Sequence, residues 1–493
     1  MNNQNTSTGA GTINRRSFMK VAGAAAASPL VMGAKSGKRN IVFVLIDDLR
    51  YDSMGFMGHP VLQTPHIDRM ARNGIHLKNA FVTTSLCSPS RASILTGLYA
   101  HTHQILDNST LLPKETVTFP VLLQEMGYRT CFVGKWHMGG STDMPRPGFD
   151  RWVSFRGQGV YVDPTFNIDG EQVKREGYIT DLITDYSVDF IKKNRDRPFF
   201  LYMSHKAVHA SFVPAPRHKG KYTGVRVPKP ASFYDTEENY RGKPDWVRRQ
   251  RKSWHGVDGM YNHTTDFDQF YRDYCETVLG VDDSIGRIME TLEQAGLAGD
   301  TLIIFMGDNG FLFGEHGLID KRCMYEPSIR VPMIAHCPAL TGNGSVREQM
   351  VLNIDIAPTI LDAAGAQIPS FMHGMSFLPL IKGENIRWRT EFLYEYFWER
   401  AYAQTPTVLG LRTDTHAYMR HQGIWDLYEL YDVANDPDEM NNLLGAVRQT
   451  SEPNDVLTLL KDPDLKNLVD DLQGRLFRII DETGGRIDPT WKA

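Results

Sequence analysis

The stretch Cys87-Ser88-Pro89-Ser90-Arg91-Ala92-Ser93-Ile94-Leu95-Thr96-Gly97 puts a sulfur at the mouth of a predicted helix. Pro89 falls in the first turn, where a missing N–H is tolerated. A helix N-terminus presents free N–H groups and the positive end of the helix dipole, and both suit an anion. Arg91 adds a fixed cation one turn further in. The residue types therefore point to a negatively charged group held beside position 87. A lone cysteine is more often a buried structural residue, so the reading depends on its surroundings.

Two pairs of oxygen donors, Asp47-Asp48 and Asp308-Asn309, each follow an apolar run. Without thiolate or paired imidazole partners they suit a hard divalent cation, Ca²⁺ or Mg²⁺. Such an ion neutralises the oxygens of an anionic ester and orients it for in-line attack. Lys135, His137, His209 and Lys321 add charge and proton-transfer capacity.

These residues share a position relative to their elements. Asn40–Ile46, a continuous apolar run, reads as a strand buried on both faces and ends in Asp47-Asp48. Arg129–Val133 leads into Gly134-Lys135-Trp136-His137. Pro198–Met203 leads into Ser204-His205 and then His209, and Thr301–Met306 into Gly307-Asp308-Asn309. Helical patterns at His66–Asn73, Val117–Glu125, Tyr178–Lys193 and Phe270–Ala295 alternate with them. The alternation predicts an α/β domain with a large, mostly parallel central sheet flanked by helices. Ligands of such sheets bind beyond the carboxyl ends of the strands, so the four strand ends should converge on one site. From about Ile386, short strands at Phe392–Phe397, Thr407–Arg412, His416–Arg420 and Trp425–Asp432 precede a helix at Asp464–Asp481. They predict a smaller C-terminal α+β subdomain, residues 386–493, with an antiparallel sheet; the catalytic domain is residues 35–385. Residues 139–177 and 214–264 read as loops. The stretch from Arg217 to Lys252 holds eleven Lys/Arg against four Asp/Glu, a candidate cationic wall with Trp246 and Trp254 as sugar-stacking faces.

The string at Cys87 resembles the C-x-P-S-R signature of type I sulfatases, in the alkaline phosphatase superfamily. Gly127 to Gly139 resembles that family's second signature, G-Y-x-T-x-x-x-G-K-W-H-x-G, and Gly314 to Lys321 its G-E-H-G-x-x-x-K. Ser204 to His209 is similar to S-H-x-x-x-H, with Val208 and Ala210 where many relatives carry proline. The motifs run in family order from Asn40 to Leu443. The resemblance implies that a maturation enzyme oxidises Cys87 to formylglycine, whose hydrated aldehyde is the nucleophile and a metal ligand with Asp47, Asp48, Asp308 and Asn309. It implies that Lys135 binds the sulfate and the aldehyde hydrate. His137 would take the proton that releases sulfate, and His209 or Lys321 would serve the leaving group. His205 and His316 are expected to be structural. Trp152–Gly159 and Lys321–Glu326 resemble the N-acetylglucosamine-6-sulfatase branch.

The remaining features set the context. Asn14-Arg15-Arg16-Ser17-Phe18-Met19-Lys20 before an Ala/Gly-rich run resembles a twin-arginine export signal, residues 1–34. It predicts a periplasmic or secreted protein that uses the twin-arginine machinery, with no stable membrane insertion. Five widely spaced cysteines form no disulfide framework. A net charge of -4 without a nucleic-acid motif gives no reason to expect a nucleic-acid partner. The expected activity is hydrolysis of O-sulfate esters of a sulfated carbohydrate. A phosphonate or phosphate ester hydrolase with the same nucleophile and a non-catalytic exported glycan-binding protein are the alternatives.

Overall fold

The computed structural model describes residues 38–263, 266–342, 344–422, 428–445 and 460–485. The export segment read at residues 1–34 lies outside the described residues, as does Trp425.

Asn40–Ile46 forms β1, and its side chains alternate between two cores. Val42, Val44 and Ile46 face one; Ile41, Phe43 and Leu45 face the other. A strand covered on both sides has no polar face to show, hence the unbroken apolar run. The chain continues through β2 (Ile75–Phe81), β3 (Arg129–Lys135), β4 (Arg151–Phe155), β5 (Thr165–Ile168), β6 (Glu171–Lys174), β7 (Phe199–His205) and β8 (Thr301–Gly307). A two-stranded ribbon, β9 (Leu312–Phe313) with β10 (Ile319–Asp320), precedes β11 (Met333–His336) and β12 (Ser345–Leu352).

Ten of these strands form one sheet in the order β12-β2-β11-β8-β1-β7-β3-β4-β5-β6. The stretch β8-β1-β7-β3-β4 is parallel. Toward the edges, β11 runs antiparallel to both β8 and β2, and β4-β5-β6 is antiparallel. The sheet is therefore mixed, with the expected parallel arrangement at its centre. On one face lie α1 (Pro65–Arg72), α4 (Ile179–Lys193) and α5 (Phe267–Gln294). On the other lie α2 (Cys87–Thr96), α3 (Phe119–Glu125) and α6 (Ile356–Ala363).

The region read as a loop at 139–177 holds β4, β5 and β6. The region at 214–264 contains short helices at Glu237–Tyr240 and Asp245–Gln250 and buries Tyr222, Val227 and Val247. Five of the eleven cations form ion pairs among the described residues, Arg217 with Asp181 and Asp283 and Arg248 with Asp235 and Glu237 among them. Trp246 is only 8% exposed and packs edge-on to His421. It is a core residue, not a sugar platform.

A separate antiparallel sheet, β13 (Glu391–Tyr396), β14 (Thr407–Thr413), β15 (His416–Gln422) and β16 (Tyr428–Asp432), is covered by α7 (Pro463–Glu482). Val469, Leu472, Leu476 and Ile480 recur at helical spacing and close this core. His101 ties it to the larger domain. Its Nδ1 lies 2.7 Å from Glu395 Oε1 of β13, and its Nε2 lies 3.2 Å from the Thr483 carbonyl oxygen after α7. Burial works against the charged ring, but Glu395 outweighs it and raises the imidazole pKa above its ordinary value. The stabilisation is thus complete below the ordinary histidine pKa and fades as pH rises through the raised one. His101→Gln is expected to cost about 1–2 kcal/mol in urea unfolding at about pH 5.5, and less at about pH 8.5. An equal cost at both pH values would refute the charged pairing.

Candidate functional site

Strand register brings the candidate residues together. Ile46, the last residue of β1, pairs with His205 of β7 on one side and Gly307 of β8 on the other. On β3, Gly134 pairs with Ser204. Four neighbouring strands thus end at one level, and the residues after them enter the same space. Gly134 is required for this. Its φ is +120°, and a Cβ there would sit 1.7 Å from the Ser204 carbonyl oxygen. The close approach lets Lys135 and Ser204 share Arg91, whose Nη1 donates to the Lys135 carbonyl oxygen (2.6 Å) and to Ser204 Oγ (2.7 Å).

Asp47, Asp48, Asp308, Asn309 and Cys87 are fully buried, and Arg91, Lys135 and Lys321 nearly so. Cys87 is the first residue of α2, and its Sγ lies 3.5 Å from Asp47 Oδ1. Lys135 Nζ donates to Asp47 Oδ2 and to Gln158 Oε1. Arg91 Nε and Nη2 hold Asp308 Oδ2 at 2.9 and 2.8 Å. The anion beside Arg91 is therefore the Asp308 carboxylate, because a fully buried guanidinium needs acceptors for its fork of donors. Lys321 Nζ donates to both oxygens of Asp48, at 2.5 and 2.6 Å. His209 Nδ1 lies 2.6 Å from the Ala210 carbonyl oxygen, and its Nε2 is 3.9 Å from Asp48. His137 approaches Ser88 Oγ through Nδ1 at 3.4 Å. Asp48 and His137 both adopt left-handed backbone, φ 57° and 58°. Such strain collects at functional sites.

Burial dominates the electrostatics. It pushes the Asp47 carboxyl up, but Lys135 and Arg91 outweigh it and hold the group well below its usual range. Burial, reinforced by Asp47, raises Asp308 to about 7 even with Arg91 beside it. Burial drives the Cys87 thiol far up, so the thiol is a poor nucleophile as it stands. Burial, with Lys135 nearby, lowers His137 and His209 well below the ordinary imidazole value. Both rings are neutral and able to accept a proton. Burial opposes the charge on Lys321, but Asp320 and Asp48 hold its ammonium well above its usual range.

The donor set fits a hard cation. One ligand atom each of Asp47, Cys87 and Asp308 lie within 4.8 Å of one another. Asn309 donates through Nδ2 to Asp48 Oδ1 at 2.7 Å, while its buried Oδ1 has no partner. An orphaned, buried carbonyl oxygen beside crowded carboxylates is what a divalent cation would satisfy. The sulfur is the one ligand in the cluster that such an ion would not choose.

Two expected structural histidines pack away from these groups. His205 Nε2 lies 3.2 Å from Ser284 Oγ of α5, and the His316 ring packs at a tilt against Tyr325. The 214–264 segment supports the site from behind. The Ile319 N–H donates to the His255 carbonyl oxygen, and His255 Nε2 lies 3.2 Å from Asp320. Sequence reasoning did not single out Gln158, Ser88, Tyr161 or Lys206. Ser88, Gln158 and Lys206 fall within the motif stretches, but nothing in their types showed their place at the site.

The sulfatase family profile matches residues 39–366, and the profile of the N-sulphoglucosamine sulphohydrolase C-terminal region matches residues 314–463. An N-acetylglucosamine-6-O-sulfatase of Bacteroides thetaiotaomicron is 32% identical over 87% of this chain and 88% of its own length. A protein solved in complex with its substrate D-glucosamine-2-N,6-O-disulfate superposes with a TM-score of 0.80 at 31% identity, covering 90% of this chain and 98% of that one. The phosphonate monoester hydrolase of Agrobacterium radiobacter superposes with a TM-score of 0.74 at 19% identity, over 90% of this chain and 96% of that one, a likeness of fold.

Proposed function

Because this chain belongs to the sulfatase family and is a sulfuric ester hydrolase, we propose that it removes the 6-O-sulfate from N-acetylglucosamine or glucosamine units of a sulfated carbohydrate. The two relatives that match nearly the full chain support the sugar. The observation that carries the chemistry is the setting of position 87: a buried sulfur at a helix N-terminus among oxygen donors that suit a hard cation.

We assign residue 87 as formylglycine, made from Cys87 by a maturation enzyme. Its hydrated aldehyde supplies one hydroxyl for attack on sulfur and a second for release of sulfate. Asp47, Asp48, Asp308 and Asn309, with residue 87, would hold Ca²⁺, which supplies charge neutralisation to the bound sulfate. Lys135, fixed between Asp47 and Gln158, presents its ammonium to the sulfate and the nucleophile. His137, with Nδ1 turned to Ser88, has Nε2 left to take the proton that frees the product. His209 has Nδ1 engaged by the Ala210 carbonyl oxygen, which leaves Nε2, 3.9 Å from Asp48, to serve the leaving group. Lys321, kept charged by Asp48 and Asp320, stabilises the departing alkoxide.

The protein reaches its substrate, in this reading, by twin-arginine export of residues 1–34 into the periplasm or beyond. Among the described residues no helix is long and apolar enough to cross a membrane. Mass spectrometry of protein from the exported fraction of its native host tests maturation and export together. The expected product lacks the N-terminal segment. Its residue-87 peptide is lighter than the thiol form, because CH₂SH has become CHO. An intact N-terminus sinks the export reading, and an unmodified thiol in active enzyme sinks the nucleophile. Turnover of N-acetylglucosamine-6-sulfate is expected to exceed that of an aryl phosphonate ester; the reverse order would favour the phosphonate hydrolase reading.

A further inference from the structure

Four buried cations belong to the strand ends, helix and loops that build the site, and three are already matched. Arg91 holds Asp308, Lys135 holds Asp47 and Lys321 holds Asp48. The fourth is Lys206, 4% exposed, on the residue directly after β7. Among the described residues its ammonium makes no hydrogen bond and no ion pair; Nζ lies 4.5 Å over the Tyr161 ring. A ring face offsets only part of the cost of taking an ammonium out of water. Burial, with Lys135 nearby, accordingly pulls this group down to about 8.

Its position is set by the turn that carries His209. The His209 N–H donates to the Lys206 carbonyl oxygen at 3.0 Å. Tyr161 braces both residues, because its hydroxyl donates to the His209 carbonyl oxygen at 2.7 Å while its ring supports the Lys206 ammonium. Lys135, Asp47, Asp48 and position 87 are the charged groups that weigh most on Lys206. A cation held there without its own counter-ion is matched only when an anion arrives.

We propose that Lys206 is a sulfate-binding residue, whose ammonium receives the anionic oxygens of the ester's sulfate on the side of the site where His209 stands. The proposal rests on the sulfatase reading above. It assigns Lys206 to the reacting group and not to a second anion elsewhere on the sugar, because the turn and the Tyr161 side chain that hold it also hold His209.

The test compares wild type, Lys206→Met and Lys206→Arg by inhibition with inorganic sulfate and by turnover of a 6-O-monosulfated and a 2-N,6-O-disulfated glucosamine. Lys206→Met is expected to weaken sulfate inhibition and to lower kcat/KM roughly 10- to 100-fold on both sugars alike. Lys206→Arg is expected to recover most of the sulfate affinity. The thermal midpoint of Lys206→Met should hold or rise, since an unmatched buried charge has gone. Should Lys206→Met not fold, Lys206→Gln is read in the same assays. Sulfate inhibition and turnover within about twofold of wild type would overturn the proposal, and so would a loss confined to the disulfated sugar. Wild-type protein that turned over neither sugar would instead strike at the substrate reading, which keeps the two failures apart.

Discussion

Cys87→Ala is expected to lower kcat/KM for a sulfate ester by on the order of 10⁴-fold or more, with the fold retained. The thiol is fully buried, and burial drives its pKa far above neutrality. An unmodified thiol would therefore react slowly, and what the variant removes is the capacity to become an aldehyde. The helix that carries it does not rely on the side chain. Its first turn is closed by the Ser90 N–H on the Leu86 carbonyl oxygen and its end by the Gly97 N–H on the Ser93 carbonyl oxygen. The stability cost is that of one small buried side chain, about 1–2 kcal/mol. Cys87→Ser separates the roles, because a serine hydroxyl fits the space and yet offers only one oxygen. Near-wild-type turnover by either variant, with residue 87 confirmed by mass, would rule out the covalent reading. A circular-dichroism melt matching wild type is the control for folding.

Much of this site was legible because buried parallel strands announce themselves. β1, β3, β7 and β8 read as apolar runs, and each is followed by residues that a core would not tolerate unpaired. What the runs could not reveal was the pairing among those residues. Arg91 looked like an anion-binding cation, but it is matched to Asp308. Lys206 occupies a position that the S-H-x-x-x-H pattern leaves open, yet it is the one left unmatched among these buried cations. The antiparallel edge was missed for a different reason. β5 and β6 are four residues each, and Glu171, Gln172 and Lys174 are exposed, so no apolar run marks them. The usable signal was the Asp169-Gly170 turn, where both residues have positive φ, 53° and 109°. An Asp-Gly pair between two short extended segments is a strong hairpin marker. Trp246 misled for a third reason, since an aromatic in a basic stretch suits a sugar platform and a core equally well until burial is known.

Stripping divalent cations is expected to lower turnover by several kcal/mol in barrier, on the order of 10³-fold, and to lower the thermal midpoint. Ligand oxygens of Asp47 and Asp308 come within 4.8 Å of each other. At that separation two carboxylates repel by roughly 3–4 kcal/mol at an effective dielectric near 20. Arg91, Lys135 and Lys321 offset this in part, but none of them reaches the free Oδ1 of Asn309. A cation satisfies that oxygen and relieves the repulsion together, so binding should stabilise the folded state. Ca²⁺ is expected to restore more than Mg²⁺. The donors are fully buried, whereas Mg²⁺ keeps several waters and demands near-octahedral geometry. Asn309→Leu gives the cleanest variant. It deletes the orphaned oxygen together with the Nδ2 donor to Asp48, whose carboxylate Lys321 still holds, whereas Asp308→Asn would strand Arg91. The Ca²⁺-dependent rise in melting temperature should shrink in Asn309→Leu, while the metal-free protein loses only what the Nδ2 hydrogen bonds contributed, about 1–3 kcal/mol. Full activity after exhaustive chelation, with a melting temperature indifferent to Ca²⁺, would mean that the carboxylates are balanced by the lysines and arginine alone and that the orphaned amide oxygen has another cause.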